Sequence, residues 1–362
     1  ATAPHHILFD RCYIHGRSHA TLAGRRGFYM TGSTVGVFDS YVSGFYENGA
    51  DSQAILLAYG AGPFCIYNNY LEAASENVML GGVDPPISGS IASDVQIVHN
   101  TFDKPTVWIA AGVGDVKNLF ESKGGQRVLF EGNTLVNCWY GTIGAGQNGF
   151  GIVLTHRNQG GAAPWMNNTD FTIRNNKMTT TGGGIVLSGR DGNYIATSPI
   201  AARISITNNQ IIANGNSTGG LASSGYAFQM GSDPTSVTIS HNTCIGYKYP
   251  MYIADAGAAY RVIPHFTCQN NVFCGNGDGA STWDLIGDGK TGWNNLNGYY
   301  FLSPIFDHNA IVFATLANYS GTGNIAPAST AAMSFTNFAG AIYSLQAGSP
   351  GHNTASDGTD MG

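Results

Sequence analysis

Charged residues make up only 10% of this chain, so their clustering carries information. Asp51, Glu76, Lys117, Glu121 and Lys123 fall within three consecutive repeats of a pattern set out below. His156, Arg157 and Arg190 continue the series along the next two. Elimination at a uronate needs a base for the proton beside the carboxylate, and cations or a metal to hold that carboxylate. Lys123 or His156 would be the base, Arg157 the neutralising cation, and Glu76 with Asp84 would offer oxygen ligands of the kind Ca²⁺ takes. Glycoside hydrolysis needs instead two carboxylates about 5–10 Å apart. Glu76 and Glu121 on adjacent repeats would supply them. Asp51, Lys117, Arg190 and Trp165 are candidates for contacting substrate, and Trp139 and Tyr140 offer rings that either stack on sugars or pack inward. A third reading has no chemistry: Glu121–Lys117 and Asp84–Lys123 would pair as a structural ladder of ions.

The repeat that must position these groups is a short apolar alternation closed by two polar residues. It reads Phe64-Cys65-Ile66-Tyr67-Asn68-Asn69, then Val95 to Asn100, Val128 to Asn133, Phe171 to Asn176, Ile204 to Asn209, Val237 to Asn242 and Phe266 to Asn271. Its last residue stands at 69, 100, 133, 176, 209, 242 and 271, with gaps of 31, 33, 43, 33, 33 and 29. A period in that range means one supersecondary unit stacked many times. Alternation in Val, Ile and Phe makes each phrase a strand. Asn tolerates left-handed backbone and suits a sharp bend, and Asn69, Asn100, Asn133, Asn176, Asn209, Asn242 and Asn271 would bond one another as a ladder. A second strand precedes each phrase, for example Ala54 to Leu57, Asn77 to Leu80 and Leu119 to Glu121. With weaker copies at Leu8 to Cys12 and Val37 to Tyr41, the chain reads as all-β. It is a single-stranded parallel β-helix, right-handed by the general crossover preference, with about nine coils over residues 1–275.

Composition agrees. Gly numbers 50, and 43% hydrophobic residues suffice for a continuous core. A net charge of −6 with no basic run argues against nucleic acid, and no apolar stretch reaches the roughly 20 residues of a membrane span. The six cysteines lack metal-type spacing. Cys65 and Cys268 sit in strand phrases as packed thiols, whereas Cys244 and Cys274 are close enough in the repeat to form a disulfide. Asn167, Asn216 and Asn318 lie in N-x-S/T sequons. Gly144 to Gly149 fits G-x-G-x-x-G but follows no strand-to-helix pattern, so it is not a dinucleotide fingerprint.

Coil length varies at one corner. The extra residues fall at 82–93, 156–170 and 189–201. Insertions in a solenoid gather on one face, often the binding face, and these three should stack into a wall beside the earlier strand of each coil. Beyond residue 275 the rhythm fades into coil remnants and a cap over 276–362. Trp283, Trp293, Tyr299, Tyr300 and Phe301 would cover the last coil, and Ala314–Thr336 would be loop over it. The first coil carries no comparable cap, so upstream sequence or another chain is expected to cover it.

Several stretches resemble the right-handed parallel β-helix proteins of the pectin lyase-like superfamily, in particular secreted bacterial members of unassigned activity. They include Pro4-His5-His6-Ile7-Leu8-Phe9-Asp10-Arg11-Cys12, Asp51-Ser52-Gln53-Ala54-Ile55, Val116-Lys117-Asn118-Leu119-Phe120-Glu121-Ser122-Lys123, Thr155-His156-Arg157-Asn158-Gln159 and the closing Asp357-Gly358-Thr359-Asp360-Met361-Gly362. Asn68-Asn69-Tyr70-Leu71-Glu72 with Glu76-Asn77 is loosely similar to alginate lyases of the chondroitinase B type, Lys123 lying one coil after the place of their Lys-Ser. The paired-Asp, Gly-His-Gly and Arg-Ile-Lys motifs of polygalacturonases are absent. The resemblance implies further sequence before Pro4, a secreted or cell-surface location in a bacterium, and a polysaccharide partner. It also implies lyase, hydrolase, epimerase or esterase chemistry. The leading expectation is a lyase on a uronate polymer. The alternatives are a non-catalytic fibre or adhesion protein stacking end to end, and a glycoside hydrolase with paired carboxylates.

Overall fold

The computed structural model describes residues 4–17, 22–141, 146–213, 225–275 and 284–362. Trp283, the sequon at Asn216, and Gly144 and Ala145 lie outside them. The strands form three long sheets, and from Arg26–Thr31 to Val272–Cys274 consecutive strands of the chain fall in different sheets. The first column holds the repeated phrases, from His5–Asp10 to Ile305–Asp307. A second begins at Tyr13–His15 and ends at Ala310–Ile311. The third runs from Arg26–Thr31 to Lys290–Thr291 and contains Gln53–Tyr59, Glu76–Leu80, Asn118–Ser122, Phe150–Leu154 and Gly183–Ser188. Neighbours along a column pair in parallel, except that Lys290–Thr291 turns back antiparallel on Ile286–Gly287, so the chain is a parallel β-helix with three strands in each full coil. The second column, immediately after each Asn, was not read from the sequence. The first column has nine strands up to Thr267–Gln269 and a tenth at Ile305–Asp307.

Register converts alternation into a core. Phe64, Val95, Val128, Phe171, Ile204 and Val237 are successive partners along the first column, as are Ile66, Ile97, Phe130, Ile173, Ile206 and Ile239. All twelve are buried in one continuous core. Each coil alone could not enclose these side chains; stacking removes them from water at about 25 cal/mol per Å².

The two polar residues divide the labour of the corner. Asn68, His99, Gly132, Asn175, Asn208, His241 and Asn270 take left-handed backbone, with φ between 53° and 63°. The chain thereby turns sharply enough for the following Asn to point inward. There Asn100 Oδ1 accepts both the backbone N–H and the side-chain amide of Asn69, each at 2.9 Å, and the pattern repeats at Asn133, Asn176, Asn209, Asn242 and Asn271. The ladder extends to Asn309 and Asn324, and Ser40 begins it by accepting from Cys12 and donating to Asn69.

At the far end, Trp293 stacks on Phe306 at 4.3 Å between ring centroids and Phe306 on Tyr319, so this part of the chain closes the core as expected. Tyr300 and Phe301 are buried there, and Tyr299 packs at the margin. The stretch Ala314–Thr336 does more than loop over the cap. It carries two 3₁₀ turns, it adds the last ladder residue, and Ile325 accepts from the Ile311 N–H. Met333, Phe335, Tyr343, Ala355 and Met361 then cover the outer face of the second column at Ile245, Val272, Cys274 and Val312. The Cys244–Cys274 disulfide that the repeat spacing would allow is absent, because Cys244 faces Phe273 and Cys274 faces Ile245. That one-residue offset sends the two sulfurs to opposite faces of the sheet, and all six cysteines are free thiols. Cys268 is buried in the core, while Cys65 is half-buried on an outer face.

A candidate active cleft over the third column

The outer face of the third column carries the polar groups. One line of register partners runs Tyr29, Leu56, Met79, Glu121, Val153, Val186, Gln229 and Tyr252. Beside it runs a second line of Arg26, Gln53, Glu76 and Asn118. Sequence alone left the phase of Glu121 open; the pairing turns it outward.

Two walls enclose this face. The inserted corners do stack as one. Asp84 Oδ2 accepts the Gly160 N–H at 2.7 Å and the Ala162 N–H at 3.2 Å. Trp165 Nε1 donates to Ser90 O, and Ile91, Ala163 and Met166 form a small apolar cluster between the same corners. Arg157 Nη1 and the Asn158 N–H both donate to Asp191 at 2.7 Å, joining 156–170 to 189–201. The opposite wall is the corner after Thr134–Cys138, pinned where Gly141 N–H donates to Gln147 O and Gln147 N–H to Val116 O. Trp139 packs into the core there, leaving Tyr140 exposed. Between the walls lies a cleft of about 430 Å³ lined by Glu121, Lys123, Tyr140, Gln147, Asn148, Thr155, Arg157 and Gln229, among others. A larger hollow of about 840 Å³ beside the C-terminal segment is lined by groups such as Ile212, Ile245, Phe313, Phe335 and Tyr343, with no acid or base among its lining residues.

The cleft gathers some of the expected residues and not others. Lys123, Glu121 and Arg157 line it together. Lys123 Nζ lies 3.8 Å from Glu121 Oε1, and the Arg157 N–H donates to Lys123 O at 3.0 Å, so these two cations occupy adjacent coils. Asp51 and Lys117 pair with each other at the edge of the second line. The ionic partners are therefore Glu121–Lys123 and Asp51–Lys117, not Glu121–Lys117 and Asp84–Lys123. His156 is not available as a base. It is fully buried, with Nε2 bonded to Ser198 Oγ and Pro199 O, and burial pulls its pKa down to about 4. Arg190 is committed to a two-bond pair with Asp233 at 2.6 and 2.9 Å and lies over the Tyr260 ring. Trp165 is a strut within the wall rather than a platform for substrate.

The Glu76–Asp84 calcium pair does not fit. Glu76 is enclosed, and Gln53 Nε2 donates to its Oε2 at 2.7 Å. Asp84 is held by backbone N–H groups in the wall. Among the described residues no three His, Cys, Asp or Glu side chains converge as a metal would require. Glu76 is instead a buried acid whose pKa is pushed up to about 8, first by burial and then by Glu121 and Asp51. Behind this floor lies a group that sequence reasoning passed over. Lys104 is wholly buried and its Nζ donates to Ala73 O, Ser75 O and Asn77 Oδ1. Burial lowers its pKa to about 8. Gln147, Asn148 and Gln229 were missed as well. Gln229 was findable, since it shares the register line of Glu121.

Among the described residues no helix is long and apolar enough to cross a membrane. Compared with protein-family models and with curated proteins, the chain matches none.

Proposed function

We propose that this β-helix is a polysaccharide lyase that cleaves a uronate-containing polymer by β-elimination in the cleft over its third column. The observation that carries the reading is that Lys123 and Arg157, on adjacent coils about 4.8 Å apart, line one walled groove. A uronate seated there would place its carboxylate against the Arg157 guanidinium, whose charge stabilises the enediolate that forms when the neighbouring proton leaves. Lys123, ion-paired with Glu121 at rest, would first yield its ammonium proton to solvent and then take the proton from the carbon bearing the carboxylate. The C–H electron pair then forms the carbon–carbon double bond as the glycosidic oxygen leaves, protonated by solvent or by a group of the cleft. Tyr140, Gln147, Asn148 and Gln229 supply a ring and amides of the kind that hold sugar hydroxyls. Hydrolysis by paired carboxylates is less well supported, because only Glu121 of the pair lines the cleft while Glu76 is enclosed. On this reading the protein would work outside the cell, where such polymers lie.

The test is a panel of uronate polymers followed by the ultraviolet absorbance of the unsaturated product. Lys123→Ala should abolish the signal, and Arg157→Ala should lower kcat about a hundredfold. No absorbance with any polymer, or turnover unchanged in both variants, would refute the reading.

A further inference from the structure

We infer that Glu76 carries a proton at neutral pH, that it donates this proton to Asn118 Oδ1, and that Asn118 is thereby left to hold the ionised Glu121 at the floor of the cleft. The geometry behind this is a pair of matching defects. Glu76 Oε1 and Asn118 Oδ1 are both fully buried, and neither has a hydrogen-bond partner among the described residues. They belong to register partners on adjacent strands, so they lie on the same face one coil apart. Both atoms are acceptors, and two buried acceptors on neighbouring strands without a donor are costly. A proton on Glu76 Oε1 satisfies both at once.

The surrounding bonds agree. Gln53 Nε2 donates to Glu76 Oε2, and Arg26 Nε donates to Gln53 Oε1 at 2.8 Å. On the other side Asn118 Nδ2 donates to Glu121 Oε2 at 3.1 Å, and more weakly to Gln147 Oε1 at 3.4 Å. A relay therefore runs Arg26, Gln53, Glu76, Asn118, Glu121. Asn118 has one NH₂ and two carboxyl neighbours. With Glu76 ionised, the amide would turn its NH₂ toward Glu76 and present an oxygen to Glu121. The proton on Glu76 decides which carboxyl group the amide serves.

The charges facing Glu76 do not replace that proton. Asp51 and Glu121 oppose its ionisation, while Lys117 and Lys123 favour it at a distance. Lys117 is paired with Asp51 and Lys123 with Glu121. Arg26 reaches Gln53 rather than Glu76, Lys104 is spent on its three acceptors, and Cys138, the remaining titratable neighbour, donates to Lys117 O. A carboxylate with one donor and no ion pair in a fully enclosed site is the costly state, and a neutral acid with two hydrogen bonds is the cheap one.

Glu76 and Asn118 are thus positioning residues for Glu121, and that role in the cleft rests on the function proposed above. The proton itself is tested without any substrate. Infrared difference spectra of the full chain, wild type minus Glu76→Gln at neutral pH, should show the carbonyl stretch of a protonated acid. Wild type minus Glu121→Gln should show an ionised carboxylate. Titration of the wild type alone should convert the acid band as the pH passes about 8, which needs no variant to fold. An ionised Glu76 signal at neutral pH overturns the inference, whatever the protein does to polymers. Glu76→Gln keeps both hydrogen bonds, so its turnover of uronate polymer should match wild type at neutral pH and lose the decline on the alkaline side. Glu76→Ala should fall below both. An alkaline limb retained in Glu76→Gln would remove the positioning role. Absence of turnover in every form, with the acid band present, would instead count against the lyase reading alone.

Discussion

Replacing Asn133 by Ala offers a sharp test of what holds the coils in register. Its Oδ1 accepts the backbone N–H of Asn100 at 2.9 Å and the Asn100 amide at 3.1 Å; its Nδ2 donates to Ile97 O at 2.9 Å and Asn176 Oδ1 at 3.1 Å. Four bonds vanish, but not all of the partners are stranded. Asn100 Nδ2 keeps Ile66 O and Val98 O, and Asn176 Oδ1 keeps the backbone N–H of residue 133. The Asn100 N–H is left bare in a buried site, and Ile97 O loses its side-chain donor. At about 1–3 kcal/mol for each buried group left wanting, the substitution should cost about 3–5 kcal/mol. The terminal rung Asn324 makes the comparable contacts to Asn309 and Phe306 O at 2.9 and 3.1 Å, but it lies nearer solvent, so Asn324→Ala should cost about 1–2 kcal/mol. Denaturant unfolding gives the totals, and amide hydrogen exchange at Asn100 reports the local event. Equal losses at the two positions, or full protection of the Asn100 amide in Asn133→Ala, would show that the strands, not the ladder, set the corner.

Two buried titratable groups should shape stability against pH in opposite senses. The raised pKa of Glu76 means the folded state keeps a proton that the unfolded chain releases, so its contribution is full below about 4.5 and is lost as pH rises through about 8. Glu76→Gln should remove that decline, whose limiting slope is about 1.4 kcal/mol per pH unit. The lowered pKa of His156 acts the other way, with stability full above about 6.5 and lost as pH falls toward about 4; His156→Gln should flatten that acid limb. Thermal midpoints across both windows check the pair, and an unchanged profile in either variant contradicts the corresponding burial. In the wall, Asp84→Ala releases the exposed N–H groups of Gly160 and Ala162 to water and should speed their hydrogen exchange by an amount corresponding to about 1 kcal/mol, without altering exchange at the ladder.

The parts of the fold legible in the sequence are those whose signal repeats. Alternation in the first column is long enough to show, and a corner that needs both a left-handed residue and an inward amide narrows the choice to pairs such as Asn68-Asn69. The second column escaped because several of its strands, such as Thr101–Asp103 and Thr243–Ile245, span three residues, too few to display a period. The inserted wall was visible as excess length; the facing wall, pinned at Gly141 and Gln147, was not read. Site residues divided on side-chain phase. His156 and Arg157 are neighbours in the chain, yet one is fully buried and the other partly open to the cleft. Residue type suggested a base at both His156 and Lys123; only the pairing of strands shows which of them faces the cleft.

The Asn ladder also has a sense of travel. Each rung donates from its backbone toward the rung ahead and accepts from the one behind, from Cys12 through Ser40 to Asn324, without reversal. The two ends of the rod are therefore chemically unlike: one offers donors, the other acceptors. Polarised amides in series reinforce one another, so a coil joins such a column more readily the longer the column already is. A sequence grafted at the far end must bring an acceptor at the corner, and one grafted at the near end must bring a donor. The corner thus acts as an arrow, and designed extensions of this rod inherit its direction.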